Sequence, residues 1–262
     1  MKHSTLLYLG FLSLFFASCV EPPRDGGEDN GGDSTQLTVS DPDGNIYTTV
    51  QIGNQIWTVE NWRSTKYADG TCIPHVPGVS EWKSLSSPAY CYYNNTTDSD
   101  SVERFGALYN WYVVDPENPH SIAPEGWRVP TNEDWTALQN HLIKKGFNGD
   151  ETSSENKSGK ALASNGGEWI EDGIWGSAPI GTPGNDQSSN NSSGFSARPG
   201  GYRYAKSGRF DWVGYYSVWW STSVPNASDA YLHYLHYISR DLGSDKTYRG
   251  AGYSVRLVRD ID

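Results

Sequence analysis

Hydrophobic and polar residues alternate over short runs along most of the chain from residue 37 onward, a pattern typical of β-strands bounded by turns. The clearest case is a pair of β-branched and aromatic runs, 46–52 and 55–60, separated by a Gly-Asn pair. Two runs joined in this way predict a β-hairpin. The second half predicts further strands, at 195–198 and 201–204 as a pair, then at 215–223, 231–238 and 252–259.

Helical periodicity is confined to three short segments. The strongest is 131–145, where Thr131 is placed as an N-cap, Asp134 stands three positions later, and apolar residues recur at helical spacing. Segment 104–112 carries its large apolar residues on one helical face and predicts a second helix. Segment 158–164 predicts a third, shorter one.

Composition sharpens this picture. The 28 Gly and 14 Pro among 262 residues favour many turns and exclude a helical bundle. No second linker interrupts the pattern after residue 37, so we predict a single domain over 37–262. Its class is α+β, with a curled antiparallel sheet, two or three short helices and long loops.

The N-terminal segment predicts an export signal. Residues 1–18 have a short basic start and a central apolar run that is shorter than the roughly 20 residues a membrane-spanning helix needs. Small residues directly before Cys19 resemble the lipobox of bacterial lipoproteins, which predicts Cys19 as the lipidation site. Residues 19–36 are rich in Gly, Pro and Asp and predict a flexible acidic tether between the lipid and the domain.

Charge and cysteine content limit the functional classes. The chain has 20 basic and 31 acidic residues, a net charge of -11, and no basic cluster, which argues against nucleic-acid binding. Besides Cys19 only Cys72 and Cys91 are present. In an oxidising compartment the simplest interpretation is a Cys72–Cys91 disulfide. A catalytic thiol pair is the alternative, although no histidine motif accompanies either residue.

Catalytic and metal-binding patterns are weak. Asp41 and Asp43 lie in a turn cluster whose continuation lacks the later ligands of an EF-hand, so we interpret it as a turn. His233 and His236 are three apart, which places them on opposite faces of a strand and disfavours a shared metal. No nucleophile elbow, phosphate loop or HExxH motif occurs. We therefore expect a protein that is not an enzyme and has neither a metal nor a cofactor.

Aromatic residues are the strongest functional lead. The chain contains 11 Trp and 17 Tyr, and several of them lie beside Gly-, Ser- and Asp-rich segments instead of apolar runs. Rings exposed next to polar donors suit stacking against sugars, whereas rings that fill a small, turn-rich core have no binding role. Both interpretations stay open for the candidate ligand-binding residues, which are Trp82, Trp169, Trp175, Trp212, Tyr215 and Tyr216.

Several blocks of the sequence, in order, resemble one family. These blocks are 43–47, 50–57, 60–61, 105–111, 124–131 with Trp135, 194–197, 201–203, 215–221 and 254–256. On these blocks the chain from about 38 to 259 is similar to the Fibrobacter succinogenes major paralogous domain, which is common in surface lipoproteins and has no settled biochemical activity.

Blocks 127–131 and 252–256 are also similar to the formylglycine-generating enzyme fold, a branch of the C-type-lectin-like folds. That similarity implies architecture alone, because the chain has no cysteine after Cys91 and the calcium motif of the lectins is absent. The resemblances together imply a lipoprotein anchored in the outer membrane and exposed at the cell surface. We expect its domain to bind a glycan or another extracellular ligand through aromatic loops, or alternatively to be a structural or tip subunit that binds protein partners.

Overall fold

The computed structural model describes residues 37–149 and 152–261. The predicted signal segment, the lipidation site Cys19 and the tether at 19–36 lie outside the described residues. The described residues all belong to one compact unit. Among the described residues, no helix has the length and apolarity needed to cross a membrane.

The first sheet joins the two ends of the domain. It contains the strands β1 (Thr38–Ser40), β2 (Ile46–Ile52), β3 (Gln55–Thr58) and β13 (Val258–Asp260), in the order β1-β2-β3-β13 and all antiparallel. The hairpin predicted from the Gly-Asn pair is confirmed in β2 and β3. Because β13 pairs with β3, the last strand of the chain closes onto the first hairpin.

The turn between β1 and β2 is held by Asp41. Its Oδ1 accepts hydrogen bonds from the backbone N–H groups of Asp43 and Asn45, and its Oδ2 accepts from the Tyr47 hydroxyl. These hydrogen bonds hold the turn that the sequence predicted around Asp41.

Five short α-helices lie among the strands in the described part of the chain. The predicted helix at 131–145 is confirmed, with the Thr131 hydroxyl accepting from the Asp134 N–H and the Asp134 carboxylate accepting from the Thr131 N–H. The helix predicted at 158–164 forms a single turn. The five are α1 (Val79–Lys83), α2 (Ser99–Phe105), α3 (Trp111–Val114), α4 (Asn132–Lys144) and α5 (Gly159–Leu162).

The continuous helix predicted at 104–112 is wrong. α2 ends at Phe105, and Gly106 adopts a positive φ of 75°. A β-carbon on Gly106 would lie 2.9 Å from the Trp62 carbonyl oxygen, so the chain passes against another backbone there. Residues 108–109 then pair with 90–91 as a two-stranded ladder before α3 begins.

The second half of the domain is built from antiparallel strands. Strands β10 (Tyr216–Trp220), β11 (Asp229–His236) and β12 (Gly243–Tyr248) form one sheet in that order, and β8 (Gly200–Arg203) pairs with β9 (Phe210–Val213) beside it. The predicted pairing of 195–198 with 201–204 is wrong, because Ala197 bridges Ala163 and β8 takes β9 as its partner. The remaining strands are β4 (Tyr90–Cys91), β5 (Leu108–Tyr109), β6 (Asp172–Gly173) and β7 (Gly176–Ser177). The α+β class is confirmed.

Two arginines are completely buried and bind backbone carbonyls. Arg203 donates to the carbonyl oxygens of Gly208 and of residues 76–78, between the rings of Trp82 and Phe210. Arg256 likewise donates to carbonyl oxygens. No carboxylate among the described residues lies within hydrogen-bond distance of its guanidinium. Burial lowers the pKa of the Arg256 guanidinium to about 9.

The predicted Cys72–Cys91 disulfide is wrong, because Cys91 is a free thiol. Cys91 lies on β4 with its side chain packed among Trp82, Ala89 and Leu108. Cys72 is partly exposed, and its backbone forms an isolated β-bridge with Lys66. Burial raises the pKa of the Cys91 thiol to about 12. The Cys91 side chain is thus part of a hydrophobic cluster and is unreactive at neutral pH.

Candidate functional site

Two of the six candidate rings are core residues. Trp82 is 1% exposed and lies under Arg203, and Trp169 is 3% exposed within the cluster that also contains Tyr237. The Trp169 backbone is held at both ends by the Gln187 side chain. The prediction of a ligand contact is therefore wrong for these two residues, because neither ring has a face open to solvent.

The other four candidate rings come together on one surface. Trp175 stacks on Trp212 with ring centroids 4.8 Å apart and an angle of 22° between the planes. Tyr215 and Tyr216 meet both indoles edge to face, at 5.7–6.4 Å. Further rings extend this group, and we call the whole set the aromatic surface. Its members are Trp175, Trp212, Tyr215, Tyr216, Tyr202, Tyr204, Tyr234 and His236.

Trp212 is placed by an unusual backbone conformation. It lies in β9 with a φ of +74°, which large side chains rarely adopt. Its carbonyl oxygen accepts a hydrogen bond from the Tyr215 N–H at 3.0 Å, which closes a tight turn into β10. The turn directs the indole onto Trp175 and its Nε1–H onto the Tyr204 hydroxyl, 2.8 Å away. Strain kept at a partly exposed ring points to a binding role.

This conformation predicts that glycine at position 212 is more stabilising than alanine, the reverse of the usual order within a strand. We expect Trp212→Gly to be more stable than Trp212→Ala by about 1 kcal/mol, because both remove the indole and only glycine accepts the left-handed φ without cost. Urea unfolding followed by circular dichroism measures the difference. An alanine variant as stable as the glycine variant would show that the backbone at 212 is not left-handed.

Trp175 is brought to the surface by the β6–β7 hairpin. It stands with Ile174 at the tip, and 47% of its surface is exposed. The Tyr237 hydroxyl anchors the hairpin by accepting from the Trp175 N–H at 3.3 Å and donating to the Gly176 carbonyl at 3.0 Å. The indole thus lies on the aromatic surface with one face on Trp212.

The strands β10 and β11 supply the floor. Tyr216 is opposite His236 in the ladder, and their rings stack with centroids 4.2 Å apart. Tyr234 lies two residues earlier on the same face and extends over Gly243 of β12, where a β-carbon would come within 2.3 Å of its ring. Only glycine at 243 allows this close approach.

Four members of the aromatic surface were missed from the sequence, namely Tyr202, Tyr204, Tyr234 and His236. The alternation within 231–238 places 234 and 236 on one face, and that signal alone could have grouped them. Tyr234 and His236 lie close to Tyr202 and Tyr204 because β8 pairs with β9, and no local signal in the sequence indicates that pairing.

The two histidines of β11 face opposite sides, as the sequence predicted. His233 stacks on Trp135 in the core with its Nε2 3.1 Å from the Asn132 amide oxygen, and His236 lies on the aromatic surface. Burial lowers the pKa of His233 to about 3, and it lowers that of His236 to about 4 against an opposing effect of Asp241. Both rings are therefore neutral at physiological pH, and the buried His236 Nε2 has no hydrogen-bond partner.

Hydroxyl groups line the edge of the aromatic surface. The Tyr202 hydroxyl donates to the Tyr204 hydroxyl at 3.2 Å, and Tyr204 is partly exposed. Burial raises the pKa of the Tyr202, Tyr216 and Tyr234 hydroxyls. These groups stay neutral at physiological pH, so each is both a hydrogen-bond donor and an acceptor for a ligand.

A cleft of about 350 Å³ lies elsewhere, between the loop after α3 and residues 127–131. Its charged groups already have partners, because His120 Nδ1 is 2.6 Å from Asp69 and Arg128 is 2.6 Å from Asp134. Among the described residues, no three His, Cys, Asp or Glu side chains are grouped so as to hold a metal ion. The aromatic surface is therefore the better candidate for a binding site.

No curated protein and no solved structure matches the chain significantly. The profile of the Fibrobacter succinogenes major domain matches residues 50–259. The matched segment runs from β2 to β13 and includes every residue of the aromatic surface. The chain belongs to the Fibrobacter succinogenes major domain family.

Proposed function

We propose that the protein is a surface-displayed, non-catalytic binding module that holds a glycan on the aromatic surface. The observation that carries the proposal is the strained, left-handed Trp212, whose indole stacks on the half-exposed Trp175. A core needs neither feature, because strain lowers stability and an exposed indole contributes little burial.

The chemistry of the surface suits sugars. The apolar face of a pyranose stacks on flat rings, while its hydroxyls require partners that both donate and accept hydrogen bonds. The rings of Trp175, Trp212 and Tyr216 supply the flat stacking surface. The Tyr202 and Tyr204 hydroxyls supply the hydrogen-bond partners. His236 stacks on Tyr216 and adds a further ring to this apolar floor.

The predicted location completes this proposal. A lipid on Cys19 and the tether at 19–36 would hold the domain at the outer membrane, facing the medium. The antiparallel strands and five short helices are compatible with a C-type-lectin-like architecture, which we propose as the wider fold family. Globomycin treatment and radiolabelled palmitate incorporation test the anchor, and both effects should disappear in Cys19→Ser.

A second candidate is a structural or tip subunit that binds protein. It is favoured by apolar side chains next to the two indoles, since Ile174 is 68% exposed and Val213 is 37% exposed. Exposed aliphatic groups bury well against a protein and gain little from a hydrated sugar. We therefore expect Ile174→Asp to leave glycan binding nearly unchanged and to abolish binding to a protein partner.

The test of the glycan proposal is a titration of the full chain in detergent with plant, host and bacterial polysaccharides, followed by tryptophan fluorescence and calorimetry. We expect a saturable response to at least one glycan. Trp175→Ala and Tyr216→Ala should each weaken binding about tenfold, which corresponds to about 1.4 kcal/mol for a lost stacking ring. Tyr248→Ala, which removes an exposed ring of β12 outside the aromatic surface, is the matched control. Equal losses in all three variants, or no response by folded protein, would refute the proposal.

A further inference from the structure

The rings of the aromatic surface lie at right angles around Tyr216. The planes of Trp175 and Trp212 make angles of 89° and 74° with the Tyr216 ring, and the plane of Tyr202 makes an angle of 77° with it. Centroids in these three pairs are 6.2–6.4 Å apart. Perpendicular aromatic walls around a ring floor are the arrangement by which proteins recognise cationic amines.

Arginine covers other aromatic rings of the domain and leaves this surface uncovered. Guanidinium groups lie over seven rings of the described chain, and no member of the aromatic surface is among them. The seven covered rings are Tyr47, Trp82, Phe210, Trp111, Phe195, Trp219 and Trp127. Trp175 and Trp212 cover one face of each other, and His236 covers one face of Tyr216, but no arginine competes with a ligand cation for the ring faces that this stacking leaves open.

Carboxylates add negative potential at the same place. Asp245 of β12 lies on the sheet face that carries Tyr234, because it pairs with Leu232 two positions along β11. Neither Asp241 nor Asp245 forms a salt bridge within the described part of the chain. Burial raises the pKa of the Tyr234 hydroxyl, and these two carboxylates raise it further, as expected for charges close to the ring.

The nearby cations do not cancel this potential. Lys246 follows Asp245 in the strand and thus projects from the opposite face of β12. Arg209 is engaged by Asp211, with 3.2 Å between nitrogen and oxygen. Arg240 keeps its charge, and its guanidinium is directed to the Ile180 carbonyl beside Gly181, neither of which belongs to the aromatic surface.

We infer that the aromatic surface binds glycans that carry free, protonated amines, such as chains of deacetylated amino sugars, and that it discriminates against acidic glycans. The sugar ring stacks on an indole, and its ammonium group lies over a neighbouring ring within the field of Asp241 and Asp245. This inference rests on the proposed glycan-binding function and specifies the ligand class.

Three probes of equal length separate the possibilities, namely a glucosamine oligosaccharide, its N-acetylated counterpart and an oligogalacturonate. Calorimetry uses the full chain in mildly acidic, low-salt buffer, in which the sugar amines are protonated and His236 is still neutral. We expect the glucosamine oligosaccharide to bind about tenfold more tightly than the acetylated one. Only its ammonium groups gain a cation–π contact and the attraction of two partly screened carboxylates. The oligogalacturonate should bind most weakly, and high salt should reduce the preference.

Two variants assign the preference to this site. Asp245→Asn should reduce the glucosamine preference about threefold, whereas Glu125→Gln, which removes an exposed carboxylate outside the surface, should leave it unchanged. Trp212→Ala should weaken binding of the glucosamine oligosaccharide about tenfold. If Trp212→Ala has no effect on it, the attraction is a general result of the net charge of -11, and the inference is overturned.

The remaining outcomes are also decisive. Equal or tighter binding of the acetylated probe would overturn the inference and preserve the proposed glycan-binding function. Tightest binding of the oligogalacturonate would overturn the inference in the same way. No binding of any probe, or of any polysaccharide in the wider panel, would remove both.

Discussion

Replacing Arg256 with methionine is expected to lower the free energy of unfolding by about 4–5 kcal/mol, a large share of the stability of a typical domain. The guanidinium donates to the Asn61 side-chain oxygen at 2.8 Å and to the carbonyl oxygens of Thr58, Phe195 and Ser196 at 2.7–3.2 Å. Methionine occupies similar space and leaves these acceptors buried without a donor. Urea unfolding at neutral pH measures the loss.

Arg209→Met is the matched control for this experiment. Arg209 is exposed, and Asp211 is its one salt-bridge partner among the described residues, so its replacement should change stability by less than about 0.5 kcal/mol. Should Arg256→Met prove nearly as stable as the parent protein, water must reach the freed carbonyls. The guanidinium would then have no essential role in holding residues 195–196 to residue 58.

Raising the pH from about 10 to 11 is expected to destabilise the domain by roughly 3 kcal/mol, mainly through four buried tyrosines. Burial raises the pKa of each of these hydroxyls above its ordinary value of about 10, and nearby carboxylates or tyrosines add to the effect. They are Tyr47, Tyr90, Tyr109 and Tyr253. Their stabilising contribution is complete below about pH 10 and is lost above it, because the unfolded chain then ionises while the folded one does not.

Arg256 acts in the opposite sense. Its pKa is lowered to about 9, so deprotonation relieves the cost of its buried charge as the pH rises from about 9 toward its ordinary value. One arginine cannot offset four tyrosines, and the net slope stays negative. Urea unfolding at a series of pH values from neutral to alkaline, with tyrosinate absorbance recorded in parallel, tests the prediction. Unchanged stability up to about pH 11 would mean that the four hydroxyls ionise in the folded protein.

Local chemistry accounts for the parts of the fold that could be predicted. The Thr131–Asp134 capping box and the Gly-Asn hairpin each depend on residues within a few positions of one another, so the sequence indicates them directly. The helix expected at 104–112 failed because Gly106 passes against the backbone at residue 62. That approach is a long-range contact and has no counterpart in the local pattern.

The candidate site shows the same division. Trp82 and Trp169 have polar neighbours in sequence much like those of Trp175 and Trp212, so composition could not separate the two pairs. What separates them is tertiary packing, since Arg203 covers Trp82 and the β6–β7 hairpin carries Trp175 outward. The disulfide prediction failed for the same reason, because tertiary packing fills the space around Cys91 with Trp82 and Leu108.

The two buried arginines have a consequence for how this scaffold tolerates sequence change. Each binds mainly backbone carbonyls, and every amino acid supplies a carbonyl whatever its side chain. The loops that Arg203 and Arg256 hold can therefore exchange their side chains without losing their anchors. A protein with such anchors can evolve new recognition surfaces rapidly, because the groups that retain its loops are independent of the groups that contact a ligand.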